Sequence, residues 1–379
     1  MKRIIFYVIL LFLVLYRPVS YIASHQDLYF SRTYDTRYES LKKLYYSSQY
    51  VVRKNPVIIP DETTEAFAAG AFLRGMNPIH IIHDHPPLGK YILSVSILLF
   101  NNENTIIIFS FTASLIGIYL IMKSITRNNL YSLVPVAIFV NEPLMFTKLV
   151  YTPIPEIIQL PFILFTVYFF LQMIKDRKRV YVWAALTSVF LGCVISTRFF
   201  ALGAVLLFSQ VLFLVYKKNY RTLLSYLFML PLSCVVLLVS YSKTIEESSS
   251  LVKPFAVQKY ILSYHSSKFI KAFTVWDLLF FNRWHTWWGE QKITTDVNWI
   301  ILWPISSILS FSIIVLSTLK KIKILPQEEV ILLWVFLYLC MLSVGYTSVR
   351  YFLPLIPFLY VLALSLLYRL QIVRRIFSV

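Results

Sequence analysis

The chain has 379 residues, of which 58% are hydrophobic, 17% aromatic and only 14% charged, and its 36 Lys and Arg against 18 Asp and Glu give a formal net charge of +18. So much apolar sequence exceeds what a water-soluble core absorbs, which excludes a soluble domain and requires repeated lipid-embedded runs. The positive charge does not point to nucleic acid, because Lys and Arg fall in short clusters between apolar runs, where they set orientation and meet anionic headgroups.

In chain order, Met1-Lys2-Arg3 precedes an apolar run from Ile4 to Tyr16 that looks like a signal peptide. No small-residue cleavage site follows and Arg17-Pro18 interrupts it, so an uncleaved first helix with a cytoplasmic N-terminus is expected. Basic clusters at 123–127, 175–179, 217–221 and 320–323, with Arg369, Arg374 and Arg375, mark inner edges. Between them the sequence predicts spans near 104–123, 128–142, 155–174, 180–197, 199–216, 221–242, 300–319, 329–348 and 351–368, about ten transmembrane helices in all. The run at 91–100 is too short to cross a bilayer and is expected as an interfacial helix introduced by Pro86-Pro87.

This topology brings the long loop at 23–103, the polar patch at 142–156, Arg198, the loop at 243–299 and Arg350 to one extracytoplasmic side. The expected fold class is an all-α polytopic membrane protein with a long first extracytoplasmic loop carrying juxtamembrane helices. Its organisation is read as a catalytic membrane core at 1–242, a second outer loop at 243–299 and C-terminal transmembrane helices at 300–379. Cys193, Cys234 and Cys340 lie in apolar runs without paired spacing and read as packing residues. Glycine, at eight residues, is too scarce to suggest that close glycine-mediated contacts organise the bundle. No internal repeat, nucleotide-cradling glycine loop or Walker-type lysine is visible, so the energy for any chemistry must arrive with an activated, lipid-borne substrate.

The densest polar signal is Pro60-Asp61-Glu62, followed about twenty residues later by His83-Asp84-His85-Pro86-Pro87-Leu88-Gly89-Lys90. Charged groups beside spanning helices are costly and mark function. His83 and His85 flank Asp84, but alternate histidines without a further Cys, His or acid partner make a weak zinc signal. Trp276, Trp284, Trp287 and Trp288 crowd the second outer loop, read either as an interfacial belt or as aromatic faces for a sugar or isoprenoid.

On these residues the chain resembles the GT-C membrane glycosyltransferases, within them the protein O-mannosyltransferase and lipid A aminoarabinose transferase branch. Those enzymes carry an acidic pair in the first outer loop, an aromatic and glycine stretch, then an Asp before His-Pro-Pro-Leu and a lysine. Here the counterparts are Asp61-Glu62, then Phe67, Gly70 and Gly75, then Asp84, His85-Pro86-Pro87-Leu88 and Lys90. Phe146-Thr147-Lys148 through Pro155-Glu156, Ser196-Thr197-Arg198 and Arg350-Tyr351-Phe352-Leu353-Pro354 resemble later family elements. Lys148 stands where arginine is common and Arg198 where lysine is usual, and 243–299 is too short for the lumenal domain of the eukaryotic mannosyltransferases.

The resemblance implies transfer of a sugar, a mannose-like monosaccharide, from a polyprenyl or dolichyl phosphate donor to an extracytoplasmic acceptor: a protein Ser or Thr, a glycan or a lipid. Such a reaction passes through an oxocarbenium-like state and requires a base on the face opposite the phosphate. Asp61 is assigned that role, or that of an orienting carboxylate if the acceptor is a phosphate, with Glu62 beside it. Arg198, Lys148 and Arg350 are candidates to hold the departing phosphate. Asp84, His85, Lys90 and Glu156 complete the expected substrate site, with Glu156 facing Lys148. No cofactor is expected; a divalent metal held by the acids is the less favoured reading. The expected partners are the lipid-linked donor, the acceptor and membrane lipids, and the expected location is the plasma membrane or, in a eukaryote, the endoplasmic reticulum. The rival readings are a transporter or flippase of lipid-linked glycans, and an oligosaccharide transferase or ligase.

Overall fold

The structure, a computed structural model, describes residues 2–370 apart from 83–84, 147–152, 199, 267–270, 287–291 and 346. Its helices run, in order, α1 Lys2–Ser24, α2 Gln26–Phe30, α3 Tyr34–Tyr46, α4 Asp61–Leu73, α5 Leu88–Phe100, α6 Thr105–Thr126, α7 Val134–Val140, α8 Pro155–Lys175 and α9 Val180–Thr197. The second half adds α10 Phe200–Tyr216, α11 Tyr220–Met229, α12 Pro231–Ser240, α13 Ser242–Ser248, α14 Lys253–Ser266, α15 Thr274–Phe281, α16 Leu302–Thr318, α17 Pro326–Ser343 and α18 Ile356–Arg369. The described strands are two-residue pieces, β1 Trp284–His285 paired antiparallel with β2 Ile293–Thr294. The protein is therefore an all-α polytopic membrane protein.

Among the described residues six segments are long and apolar enough to cross a bilayer: Ile4–Ser24, Thr105–Thr126, Pro155–Lys175, Arg177–Thr197, Tyr220–Ser240 and Pro326–Ser343. The expected spans at 128–142, 199–216, 300–319 and 351–368 correspond to shorter apolar helices, Tyr131–Val140, Phe200–Tyr216, Leu302–Thr318 and Ile356–Arg369. The span expected at 221–242 is found as one apolar segment, Tyr220–Ser240, whose helix is interrupted between α11 and α12. Pro231, at the first position of α12, cannot donate to the preceding turn, and the chain re-forms its ladder beyond it. Helix α5, expected as an interfacial helix, has 13 residues, about 20 Å of rise against a hydrocarbon core of roughly 30 Å, and falls in the same group of shorter apolar helices. Val95, Leu98 and Leu99 form an exposed apolar side on it.

Helix α8 is the most enclosed span, and its buried side chains run nearly its whole length. Glycine contributes more here than its scarcity suggested. A methyl group on Gly117 of α6 would come within 2.8 Å of Leu164 on α8, and one on Gly192 of α9 within 2.9 Å of the Ser233 backbone on α12. Gly117 and Gly192 thus stand where helix axes approach closely, the packing mode available when lipid gives no hydrophobic drive. Cys193 is half-buried as expected, whereas Cys234 and Cys340 are exposed and do not pack in the interior.

The first loop is built on tyrosine. Tyr34, Tyr38 and Tyr45 lie buried on one side of α3, and Phe67 of α4 stacks on Tyr45 with ring centres 4.6 Å apart and on Tyr38 at 5.9 Å. The Tyr34 hydroxyl donates to the Ala66 carbonyl at 2.6 Å, and a Cβ on Gly70 would stand 2.0 Å from that hydroxyl. The glycine of the aromatic stretch is there to let α3 lie against α4. Arg74 closes the unit, bonding Asp35 at 2.9 Å while lying 3.6 Å over the Tyr38 ring.

The second outer loop rests on the C-terminal helices. Trp276 donates to Ser343 at 2.9 Å, Thr274 to Thr347 at 2.8 Å, and Trp284 is buried. Trp284 is thus packed in the interior and Trp276 is partly buried against the C-terminal helices; Trp287 and Trp288 lie outside the described residues.

Candidate active site

Asp61 follows Pro60 at the start of α4, where the partial positive charge of a helix N-terminus favours a carboxylate. The loop before it is fastened by paired side-chain bonds: Gln49 donates to the Ile59 carbonyl at 2.8 Å and accepts from the Ile59 amide at 3.0 Å. That clamp sets Tyr50 so that its hydroxyl donates to Asp61 Oδ1 at 3.2 Å.

Glu156 follows Pro155 in the first turn of α8 and is almost wholly buried, while Gln159 one turn on donates to the Val194 carbonyl and binds α8 to α9. Where α9 ends at Thr197, the extended backbone of Arg198 directs a buried guanidinium into an ion pair with Glu156. Arg350 sits in the short turn at Val349–Phe352 that leads into α18. It bonds Asp61 Oδ2 through Nη1 at 2.8 Å and reaches Glu156 Oε1 through Nε at 3.4 Å.

The result is a continuous chain, Asp61 to Arg350 to Glu156 to Arg198, assembled from segments of the sequence as much as 289 positions apart. Tyr351 lies between the two arginines, its ring centre 5.0 Å from the Arg198 guanidinium carbon and 5.4 Å from that of Arg350. Its carbonyl accepts from Tyr338 at 2.9 Å, which holds the turn. Burial pushes the Asp61 carboxyl up, but the Arg350 guanidinium, by charge and by hydrogen bond, outweighs this with help from His85 and the Tyr50 hydroxyl and draws it below its ordinary value.

The expected residues divide as follows. Asp61, Glu156, Arg198 and Arg350 come together, and His85 stands close enough to act electrostatically on Asp61. Glu62 is beside Asp61 on α4 but makes no ion pair with the described residues. Lys90 turns away from the chain into the α4–α5 interface, where it is almost completely buried with its Nζ 3.6 Å from Glu65 Oε1. Asp84 and Lys148 lie outside the described residues, as does the expected Glu156 to Lys148 contact; the partners of Glu156 are instead the two arginines.

Tyr50 was missed in the sequence and carried no usable signal among 26 tyrosines. Tyr351 was named only as part of the Arg350 element, without a role of its own. Glu65, one helical turn after Asp61, was also passed over; it pairs with Lys90 away from the chain. No group of three or more His, Cys, Asp or Glu arranged for a metal occurs among the described residues. The described carboxylates at the site are instead occupied by guanidinium groups, a donor set that suits an anion more than a cation.

A family profile described as dolichyl-phosphate-mannose-protein mannosyltransferase matches residues 84–243. The fold is similar to two crystal structures of ArnT from Cupriavidus metallidurans. The one bound to undecaprenyl phosphate aligns with a TM-score of 0.55 and 16% identity over 93% of this chain and 60% of that one. The apo form gives 0.51 and 16% over 93% and 59%. The chain thus spans about 60% of the length of the structures it matches. No curated protein matches its sequence.

Proposed function

We propose that this chain is a GT-C membrane glycosyltransferase and that it transfers a sugar from a polyprenyl-phosphate donor to an acceptor on the extracytoplasmic side of its membrane. The observation that carries the reading is the shared arginine: Arg350 holds Asp61 and Glu156 at once while Arg198 stands on the far side of Glu156. Two carboxylates and two guanidiniums cancel in the free protein. An arriving lipid phosphate competes for the guanidiniums, whose planar forks suit its oxygens.

As the glycosidic bond breaks, charge grows on the phosphate and on the anomeric carbon together. Arg198 and Arg350 interact more strongly with the departing phosphate than with the intact diester, and this difference lowers the barrier. When Arg350 turns from Asp61 to the phosphate, Asp61 loses the contact that held its proton affinity down. It then accepts the proton of the attacking hydroxyl, with Tyr50 orienting the carboxylate. Where the acceptor is a phosphate, Asp61 has no proton to take and positions the acceptor instead. The ArnT structure bound to undecaprenyl phosphate supports a polyprenyl donor for this fold, and the family match supports a mannose-like monosaccharide.

The test is transfer by purified protein in lipid, supplied with polyprenyl-phosphate mannose and other polyprenyl-phosphate sugars, with products read by mass spectrometry. Glycan analysis of a strain lacking the protein identifies the acceptor. Asp61→Asn is expected to lower transfer by about 10²–10⁴-fold while leaving expression and folding unchanged. Full activity of that variant would remove Asp61 from the mechanism.

A further inference from the structure

We propose that a cavity of about 610 Å³ at the other end of α8 binds the phosphate headgroup of an anionic membrane lipid. It shares no residue with the Asp61 to Arg198 chain. From Glu156 to Lys175 is nineteen residues of helix, a rise of about 28 Å. The inference stands whether or not the proposed transfer is correct.

Five cations line it: Lys175 and Arg177 from the end of α8 and the turn after it, Lys217, Lys218 and Arg221 from the junction of α10 and α11. That junction is tight. Lys217 and Asn219 donate to the Phe213 and Leu214 carbonyls at 2.9 Å, and Lys218 takes a left-handed backbone at φ 53°, so three cations are gathered within one turn. Lys217 is paired with Glu329 of α17 at 2.6 Å. Among the described residues no carboxylate lies within ion-pairing distance of Lys175, Arg177, Lys218 or Arg221. Asp176 lies between Lys175 and Arg177 in the chain, but its carboxylate accepts from the Lys178 amide and the Trp183 indole. Basic residues at inner membrane edges are ordinary, but five around a single cavity, four of them without an ion pair among the described residues, raise its potential and draw an anion into it.

The flanks say which anion. On α11, Tyr220, Leu224 and Phe228 recur every four residues and are 56%, 67% and 73% exposed, an apolar stripe that starts at the cavity and runs away from it along the helix. Leu212 and Tyr216 on α10 are exposed beside the same end. A phosphate in the cavity therefore has apolar surface next to it for acyl chains, which a free phosphate does not use. Basic pockets between transmembrane helices at the cytoplasmic surface are a recognised way of holding anionic headgroups.

The experiment is thermal stability of the full chain in neutral detergent, titrated with dioctanoyl phosphatidylglycerol and, in parallel, with dioctanoyl phosphatidylcholine and inorganic phosphate. Saturable stabilisation by phosphatidylglycerol alone is expected. Arg221→Gln should weaken it about fivefold, and the combined Lys175→Gln, Arg177→Gln, Lys218→Gln and Arg221→Gln variant by on the order of a hundredfold or more. Equal stabilisation by phosphatidylcholine overturns the proposal, and so does an equal effect of inorganic phosphate, which would make the ligand a free anion. Unchanged titration of Arg221→Gln also overturns it, and this single variant decides the matter if the fourfold one does not fold.

Discussion

Glu156→Gln tests the physical core of the site. Glu156 is buried with 3% of its side chain exposed, and it is the one carboxylate in contact with both arginines. At an effective dielectric constant of 20, the attraction between Glu156 and Arg350 across 3.4 Å is about 5 kcal/mol before desolvation is subtracted. Breaking a buried pair by removing one partner has a net cost of about 3–5 kcal/mol, because the surviving charge stays buried without compensation. Arg350 keeps Asp61, so the stranded charge is Arg198, itself only 9% exposed, and the lower half of that range applies, about 3–4 kcal/mol. Against a typical total of 5–15 kcal/mol this is a large share. At about 2 °C per kcal/mol it lowers the melting temperature by about 6–8 °C. The assay is thermal unfolding in detergent of four proteins: the parent, Glu156→Gln, Arg198→Met and the double variant. Removing both partners takes away the stranded charge, so the double variant should be more stable than the sum of the singles by about 2 kcal/mol. A Glu156→Gln protein melting within 1 °C of the parent, or strictly additive singles, would show that this charge chain does not hold the site together.

The remaining predictions are shorter. The free-protein Asp61 carboxyl is drawn below its ordinary value, so its contact with Arg350 is fully present above the unfolded aspartate value near 3.9 and is lost only as pH falls through the lower folded one. The acid limb of kcat/KM, which reports the free enzyme, should therefore lie at lower pH than the acid limb of kcat, which reports the donor-bound state where Arg350 has moved to phosphate. Arg350→Met should close that gap, and coincident limbs in the parent would refute the exchange of Arg350 between carboxylate and phosphate. Gly70→Ala drives a methyl group into Tyr34 and should destabilise the first loop by about 1–3 kcal/mol, read as increased proteolytic nicking between Ser24 and Thr105. Lys90→Met alone should cost about 3 kcal/mol in thermal unfolding, because it leaves the buried Glu65 without this cation, and adding Glu65→Leu should recover part of that loss.

Much of this was legible in one dimension. Apolar run length and the placement of Lys and Arg determined that the chain is a polytopic all-α membrane protein, and they brought Asp61, Glu156, Arg198 and Arg350 to a common end of the spans. Both signals are local, since hydropathy and charge report only depth along the membrane normal, and a helix reads its own depth from its own sequence. Lateral position is different. That Arg350 reaches two acids, that Glu156 pairs with Arg198, that Lys90 is buried against Glu65 and that Tyr50 touches Asp61 all depend on the azimuth of each helix and the order in which helices neighbour one another. Those are set by the packing of distant segments, by glycines such as Gly192 where axes approach and by the break at Pro231, and no window of sequence contains them.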